Sequence, residues 1–522
     1  MVYDLTRSDE LLDTQTLTQW MTEHWLAMVL LLTYSMLLLH NAYIGSKVST
    51  GLDEFYVGGR KMGGLAIGIS FFATFASTNS YIGHAGKGYT YGLAWMAMPI
   101  MLILFTFITW RWIGPKTRRL AARFDALTLP DFLASRFLPI PGSVEPLNNN
   151  AQRQKHPLLI VSGLIIVFCS LLYLVAIFKG VGHLFERFFD VPYEVAIGIA
   201  LVIVMLYTSV GGFVSVVRTD VIQGVLMMVG AVTIFYFVTS AAGGVGALVD
   251  LSEMPSKDFL FDLNGGIPFV VLLGIALSGS LKLIVDPRQT SRFYALKDEA
   301  SLRQGMWAAV IGLTIVQLCL YPVGIYAHLL MSGVSDTDLI IPTLVNDPSV
   351  FPIWAGDFLF IAIIAAAMSS MDSVLLVAAS TFYKNLIQPF NLPSAQTFPL
   401  AWTRAAVLLL ALMSAGFALN PPGDILAITI FSGSLYAACF FPAVVCGLYW
   451  QKGSAAGVLA SMTAGVTVLL VWIASGLSSV LHEVFPALAV SLVVYYVVAR
   501  LSHDTVDLER MVGLDSPLDH RS

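Results

Sequence analysis

FIAIIAAAMSSMDSVLLVAAS, residues 360–380, has the length and apolarity of a membrane span, yet carries Ser369, Ser370, Asp372 and Ser373 where a plain span would carry leucines. Ala366, Ser369, Ser370 and Ser373 are spaced i, i+3, i+4 and i+7, so they share one helical face. That face offers small side chains and hydroxyl oxygens, and Asp372 adds a carboxylate beside it. An aspartate at the bilayer centre costs ~2.5–3.5 kcal/mol on insertion scales, so it is expected to face a cavity or an ion. The competing reading is a small-residue packing face, which Ala and Ser also favour.

The rest of the chain has the same character. Of 522 residues, 57% are hydrophobic and 12% charged, and mean hydropathy is +0.78. A soluble chain holds about twice that charge, so this is a polytopic membrane protein. The net charge of −5 gives no basis for nucleic-acid binding. Cys169, Cys319, Cys439 and Cys446 all lie in apolar stretches and read as buried thiols, implying neither a disulfide framework nor a zinc site. Residues 1–24 are acidic and run straight into the first span, so a cleaved signal peptide is not expected.

Apolar windows predict about thirteen spans, near 25–44, 62–83, 91–112, 157–179, 191–210, 215–239, 267–285, 306–331, 355–380, 401–419, 424–448, 455–475 and 480–500. Glycines interrupt the second and the seventh. Arg111, Lys116, Arg118, Arg119, Arg123, Arg136, Arg153 and Lys155 crowd the loop after the third span, and Arg288, Arg292, Lys297 and Arg303 the loop after the seventh. Loops on the opposite side are acidic or neutral, as in 250–262 and 336–347. The positive-inside rule then puts the N-terminus outside and the tail 502–522 in the cytoplasm, as an odd span count requires. Within the loop 113–156, TLPDFLASRF (128–137) predicts a short amphipathic helix at the membrane surface, followed by a polar run at 142–156. No Walker A sequence is present.

Three further polar clusters interrupt apolar spans. FASTNSYIGHAGKGYTYG (75–92) combines Ser77, Thr78, Asn79 and Ser80 with Gly83, Gly86 and Gly88. Such residues compete with helical hydrogen bonding, and an unwound helix turns carbonyl oxygens towards a cavity. The alternative is an ordinary glycine-capped helix end. In SVGGFVSVVRTDVIQG (209–224), Gly211 and Gly212 turn the chain and Asp220 enters the next span. Asp220 alone is equally a helix N-terminal charge near the cytoplasmic surface. In GIALSGSLKLIVDPRQTSR (274–292), Lys282 sits in the apolar half of its helix. It either pairs with Asp286 at i+4 or faces a central cavity and meets an anion. Interruption of the second and seventh spans, five apart, is the pattern of an inverted repeat with a midplane site.

These residues resemble the sodium:solute symporter family, which includes sodium–glucose, proline, pantothenate and monocarboxylate carriers. The resemblance runs over about 50–475 and is carried by DEFYVGGRKMGG (53–64), FASTNSYIGHAGKGYTYG (75–92), GGFVSVVRTDVIQG (211–224), DPRQTSRFYALKD (286–298), AAAMSSMDS (365–373) and GLYWQKGSAAG (447–457). It implies an all-α LeuT-type five-plus-five inverted repeat. The implied division is 1–60 as N-terminal segment and first extra helix, 61–240 and 241–450 as the two repeats, 451–500 as two extra helices, and 501–522 as the tail.

The resemblance further implies a coupling sodium held by the carbonyls of Ala76, Asn79 and Ala366 and the hydroxyls of Ser369 and Ser370. A second cation position in some members matches Asp220, Ser369, Asp372 and Ser373. Asp372 departs from the serine or threonine usual there, which leaves a second sodium, a proton or a bare Asp372–cation pair open. Lys282 stands where sugar-carrying members place an aromatic residue, which favours an anionic solute. Ser80, His84 and Lys282 are the candidate substrate residues. The expected function is sodium-coupled import of a small organic solute, monocarboxylate-like, across the cell membrane, the bacterial inner membrane. The solute, sodium and the lipid bilayer are the partners, with no cofactor and no nucleic acid or obligate protein partner. A sugar or amino-acid symporter of the same family is the nearest alternative. A transporter-like sensor is the alternative from another class, but only about twenty residues follow the last span. No motif supports enzyme activity.

Overall fold

A computed structural model describes residues 22–138, 154–263, 266–502 and 506–507. Most of the polar run 142–156 and the tail beyond 507 lie outside the described residues, as do residues 1–21.

Every predicted span coincides with helix. The main elements are α1 (Trp25–Val48), α2 (Gly64–Phe75), α3 (His84–Tyr91), α4 (Ala97–Ile108), α5 (Pro157–Phe189), α6 (Tyr193–Ala241) and α7 (Phe269–Val285). They continue as α8 (Glu299–Leu320), α9 (Ile353–Thr381), α10 (Pro399–Ala418), α11 (Ile425–Tyr449), α12 (Ala455–Ala474) and α13 (Val484–Leu501). Among the described residues, eleven helical stretches are long and apolar enough to cross a membrane. The remaining two windows are met by the shorter apolar helices Gly64–Phe75 and Tyr193–Met205. One strand pair, Lys452–Gly453 with Val506–Asp507, was not signalled by the sequence pattern.

α6 is 49 residues long, which at ~1.5 Å per residue is about 74 Å and far exceeds one bilayer core of ~30 Å. It is two spans joined at Gly212, whose φ of 64° and ψ of −171° only glycine adopts readily. A Cβ there would also sit 2.8 Å from Phe55 Cδ2.

α9 lies at the centre, packed by α1, α2, α5, α6 and α10, and every residue from Leu359 to Thr381 is buried. A helix buried all round has no lipid face, and small residues let its neighbours approach closely. Its Ala/Ser composition is therefore partly packing, as the competing reading held.

Three expectations need correction. The glycines of the seventh span do not break it: α7 runs unbroken through Gly274 and Gly279. Both glycines serve close packing, since a Cβ would lie 2.2 Å from His482 Cβ or 2.3 Å from Met98 Cε. The interruption comes at Asp286, extended at φ −65° and ψ 125°, because Pro287 disfavours helical backbone before it.

TLPDFLASRF does form a helix, Leu129–Phe137, capped by Thr128 with Asp131, but all nine helical residues are buried. Arg136 donates to the carbonyls of Gly447, Trp450 and Gln451, and Asp131 pairs with Lys384 at 2.9 Å. Those charged anchors pack the helix against the bundle, so it has no free amphipathic face.

Arg288 and Arg292, counted above as loop charges, are 3% and 0% exposed. They sit on the short helix Pro287–Ala295, folded back into the bundle.

Candidate substrate and cation site

α2 ends at Phe75, and Ala76 is extended at φ −74° and ψ 112°. Helix resumes through a wide π-helical turn, Asn79–Gly83, before α3. The unwinding thus lies at Ala76–Thr78, just upstream of the glycines. Gly86 and Gly88 are instead helical and pack against Thr337 and Tyr321. Serine and threonine at the break explain it locally: Ser77 Oγ accepts the Asn79 N–H at 3.1 Å, substituting for a helical bond.

The hydroxyl face of α9 meets α2 at this break. Ser369 Oγ donates to the Ala73 and Ala366 carbonyls at 2.8 and 3.0 Å, and Ser370 Oγ donates to the Thr74 carbonyl at 2.9 Å. A hydroxyl that spends its proton on a carbonyl keeps its lone pairs for a cation. The donor set is all oxygen, as a hard cation requires. Ser369 and Ser370 therefore offer oxygen lone pairs beside the break, while the Asn79 carbonyl accepts the His84 N–H.

At the second candidate position each residue has a hydrogen-bond partner within the bundle. Asp220 is no surface helix charge: it is fully buried, two turns into the second half of α6. Its Oδ2 lies 3.1 Å from Arg292 Nη2 and accepts from Ser70 Oγ at 2.5 Å. Ser373 Oγ accepts from Arg292 Nη2 at 2.5 Å and bonds Thr74 Oγ1 at 3.0 Å. Asp372 turns elsewhere, its Oδ1 accepting from Thr208 Oγ1 at 2.6 Å. Ser369 Oγ donates to the Ala73 and Ala366 carbonyls, with its lone pairs left free. Asp220 and Ser373 share Arg292 as a partner, and Asp220 Oδ1 is buried with no hydrogen-bond partner among the described residues.

Beside the break is a cavity whose polar lining is Asn79, His84, Tyr173, Lys282, Arg288 and Thr429. Lys282 does not pair with Asp286. That carboxylate is taken by Arg288, through Nε at 3.0 Å to both oxygens and Nη2 at 2.5 Å to one. Lys282 Nζ instead lies 4.1 Å from the Tyr173 ring centre and 3.5 Å from Ser432 Oγ, with no carboxylate of the described residues within 4 Å. Arg288 also lies 4.1 Å from the Tyr173 ring centre, so one ring serves two cations.

Trp95 Nε1 donates to His84 Nδ1 at 3.3 Å, which fixes the His84 proton on Nε2. Asn79 Oδ1 is buried without a partner among the described residues. Ser80 is not part of the lining; it accepts from Gln317 Nε2 at 3.4 Å.

The sodium:solute symporter family model matches residues 55–465. This chain belongs to that family. Over 471 residues the symporter is 27% identical to a sodium/pantothenate symporter of Haemophilus influenzae, covering 89% of this chain and 94% of that protein. It is 30% identical over 508 residues to a sodium/proline symporter of Staphylococcus aureus, covering 93% and 94%. Among solved structures, an outward-open Na+-coupled sialic acid symporter aligns with a TM-score of 0.73 at 18% identity, covering 92% of this chain and 99% of that one. Inward-facing Mhp1 aligns at 0.52 and 14% identity, covering 88% and 95%. The symporter therefore has the LeuT-type fold.

The chain is a multi-pass protein of the cell membrane that couples solute transport to sodium, and no cofactor is indicated. The symporter family are transporters, not enzymes. Sequence reasoning missed Tyr173, Arg288, Arg292, Ser70 and Thr74. The signal available was the Arg288–Arg292 spacing of i, i+4 directly after an Asp-Pro helix cap. One helical face carrying two guanidiniums is costly in a membrane unless it points at buried acceptors.

Proposed function

We propose that this symporter imports a small anionic solute, with sodium held at the Ala76, Asn79 and Ala366 carbonyls and the Ser369 and Ser370 hydroxyls. The observation that carries the anionic reading is Lys282, whose ammonium lines the cavity with no carboxylate of the described residues in ion-pair range. An ammonium in a low-dielectric site needs a counter-charge, and a solute carboxylate supplies it. Pantothenate and proline, named for the two relatives, both carry a carboxylate, which agrees with this chemistry. His84 Nε2 offers a hydrogen-bond donor to the same solute.

Sodium bound between the broken α2–α3 helix and α9 shifts the equilibrium towards the state that accepts solute, provided its affinity differs between the two states. The orientation is the one that places the basic loops in the cytoplasm. The repeats are those at 61–240 and 241–450, with 1–60 preceding and 451–500 and 501–522 following.

A second reading is a zwitterionic amino acid, favoured by the unpartnered Asn79 Oδ1, an acceptor suited to an ammonium. A thermal-shift screen of the purified protein separates the two. Lactate, pyruvate, pantothenate, proline and glucose are each tested with and without sodium. A ligand stabilises the protein by RT ln(1 + [L]/Kd), so the solute class shows as sodium-dependent stabilisation. Stabilisation by glucose alone would remove the anionic reading, and by proline alone would favour the zwitterion.

A further inference from the structure

The cavity beside the helix break is polar on one side and apolar on the other. Its apolar side comes from two helices: Met98 and Leu102 of α4 stand at i, i+4, and so do Leu426 and Ile430 of α11. α7 contributes Lys282 and, at i−3, Gly279. At ~1.5 Å per residue the two lie about 4.5 Å apart along the axis, on one helical face. A solute anchored at the Lys282 ammonium therefore has its body within a turn of Gly279.

One side chain explains why this position is a glycine. A Cβ on Gly279 would overlap Met98 Cε and stand 3.3 Å from Met98 Sδ, and it would meet nothing else on the neighbouring elements within 4 Å. Gly274 of the same helix differs: a Cβ there meets His482 and Phe485, which do not line the cavity. Gly274 is thus a site of helix packing, whereas Gly279 makes room for the end of a flexible side chain in the cavity wall. Met98 is 4% exposed, and an unbranched thioether fills such a gap without fixing its shape rigidly. How far its methyl reaches decides how much of the apolar side is left for solute.

We propose, resting on the anionic reading of Lys282, that Met98 seated on Gly279 sets the length of the solute's tail. The solute is then a monocarboxylate with a short apolar tail. Its carboxylate goes to Lys282, and the tail lies along Met98, Leu102, Leu426 and Ile430. Each methylene buried there strengthens binding about fourfold, until the chain meets Met98 and the next carbon overpacks the wall.

The test is a series of linear monocarboxylates, acetate to hexanoate, titrated in sodium against the full-length purified protein with thermal stabilisation as the readout. In the unmodified protein, apparent affinity should rise about fourfold per carbon and then fall sharply at one chain length. Met98→Ala removes the thioether and should move that cut-off longer by about two or three carbons. Gly279→Ala pushes the Met98 methyl into the cavity and should move it shorter by about one carbon. In Met98→Ala/Gly279→Ala there is no methyl to push, so the alanine at 279 should no longer shorten the cut-off. A merely structural role for either residue would not produce that non-additivity. A cut-off at the same chain length in both single variants overturns the inference and leaves the anionic reading standing. Stabilisation by no carboxylate of any length removes the anionic reading and the inference with it. Either single variant suffices: if one does not fold, the other decides.

Discussion

Tyr173 Oη donates a hydrogen bond of 3.1 Å to Ser77 Oγ, tying the ring that carries Lys282 and Arg288 to the break in the first core helix. Ser77 in turn accepts the Asn79 N–H. One side chain therefore joins the cationic lining of the cavity to the backbone whose carbonyls are the candidate sodium ligands. Tyr173→Phe keeps the ring and removes only that link. A net hydrogen bond is worth ~0.5–1.5 kcal/mol, so half-saturating sodium should rise about two- to tenfold. Solute KM at saturating sodium should hardly move. Uptake titrated with sodium in proteoliposomes measures both, and an unchanged sodium titration would show the link is only structural.

Ser369→Ala and Ser370→Ala should each weaken sodium activation by ~1–3 kcal/mol, the cost of leaving a desolvated site short of one oxygen. Each also frees a carbonyl, of Ala73 and Thr74 respectively. Membrane insertion should be intact, because the hydroxyls lie inside a helix and contribute nothing to its hydrophobicity. Wild-type sodium dependence in both variants would remove these residues from the cation site.

The helical character of the apolar windows, the hydroxyl face of α9 and the broken second span were legible because each rests on local composition. Periodicity reveals a helix, and a Ser-Thr-Asn run reveals where one unwinds. Partner choice was not legible. Lys282 and Asp286 stand at i, i+4, and only the tertiary position of Arg288 decides that the aspartate goes to the arginine. The same holds for Asp220, whose partner lies 72 residues away in sequence. Arg288 and Arg292 misled the charge count because loop and re-entrant helix look alike until packing is known. Gly274 and Gly279 misled the break assignment because glycine serves close approach as readily as unwinding.

Lys87 and Asp424 form a partly exposed pair at 3.1 Å on the side opposite the basic loops, where Asp424 caps α11. Burial alone would raise the Asp424 carboxyl, but the Lys87 ammonium and the Ala427 N–H outweigh it and hold it below its ordinary value of 3.8. A carboxyl lowered on folding contributes stability above that ordinary value and loses it as pH falls through the lowered one. The side chain is 36% exposed, so solvent screening limits the contribution to roughly 1 kcal/mol or less. Below about pH 4 the wild-type melting temperature should therefore drop more steeply than that of Asp424→Asn. Parallel pH profiles would mean the pair contributes nothing measurable.

Lys282→Ala offers the sharpest test of solute class. A charge-assisted hydrogen bond to a carboxylate is worth ~1.5–3 kcal/mol, so uptake of an anionic solute should fall about 10- to 100-fold in kcat/KM. Sodium binding measured without solute should survive, since Lys282 touches none of the candidate sodium ligands and its neighbours are Tyr173 and Ser432. Fold stability should hold or rise, because the substitution removes a buried ammonium that makes no ion pair within 4 Å among the described residues. The double variant Lys282→Ala/Asp286→Ala discriminates further. Were the two an ion pair, removing both would recover much of the loss. Asp286 is instead committed to Arg288, so the double variant should be worse than the single, with Arg288 left unpaired in the bundle. Recovery in the double variant would overturn both the pairing and the anionic reading built on it.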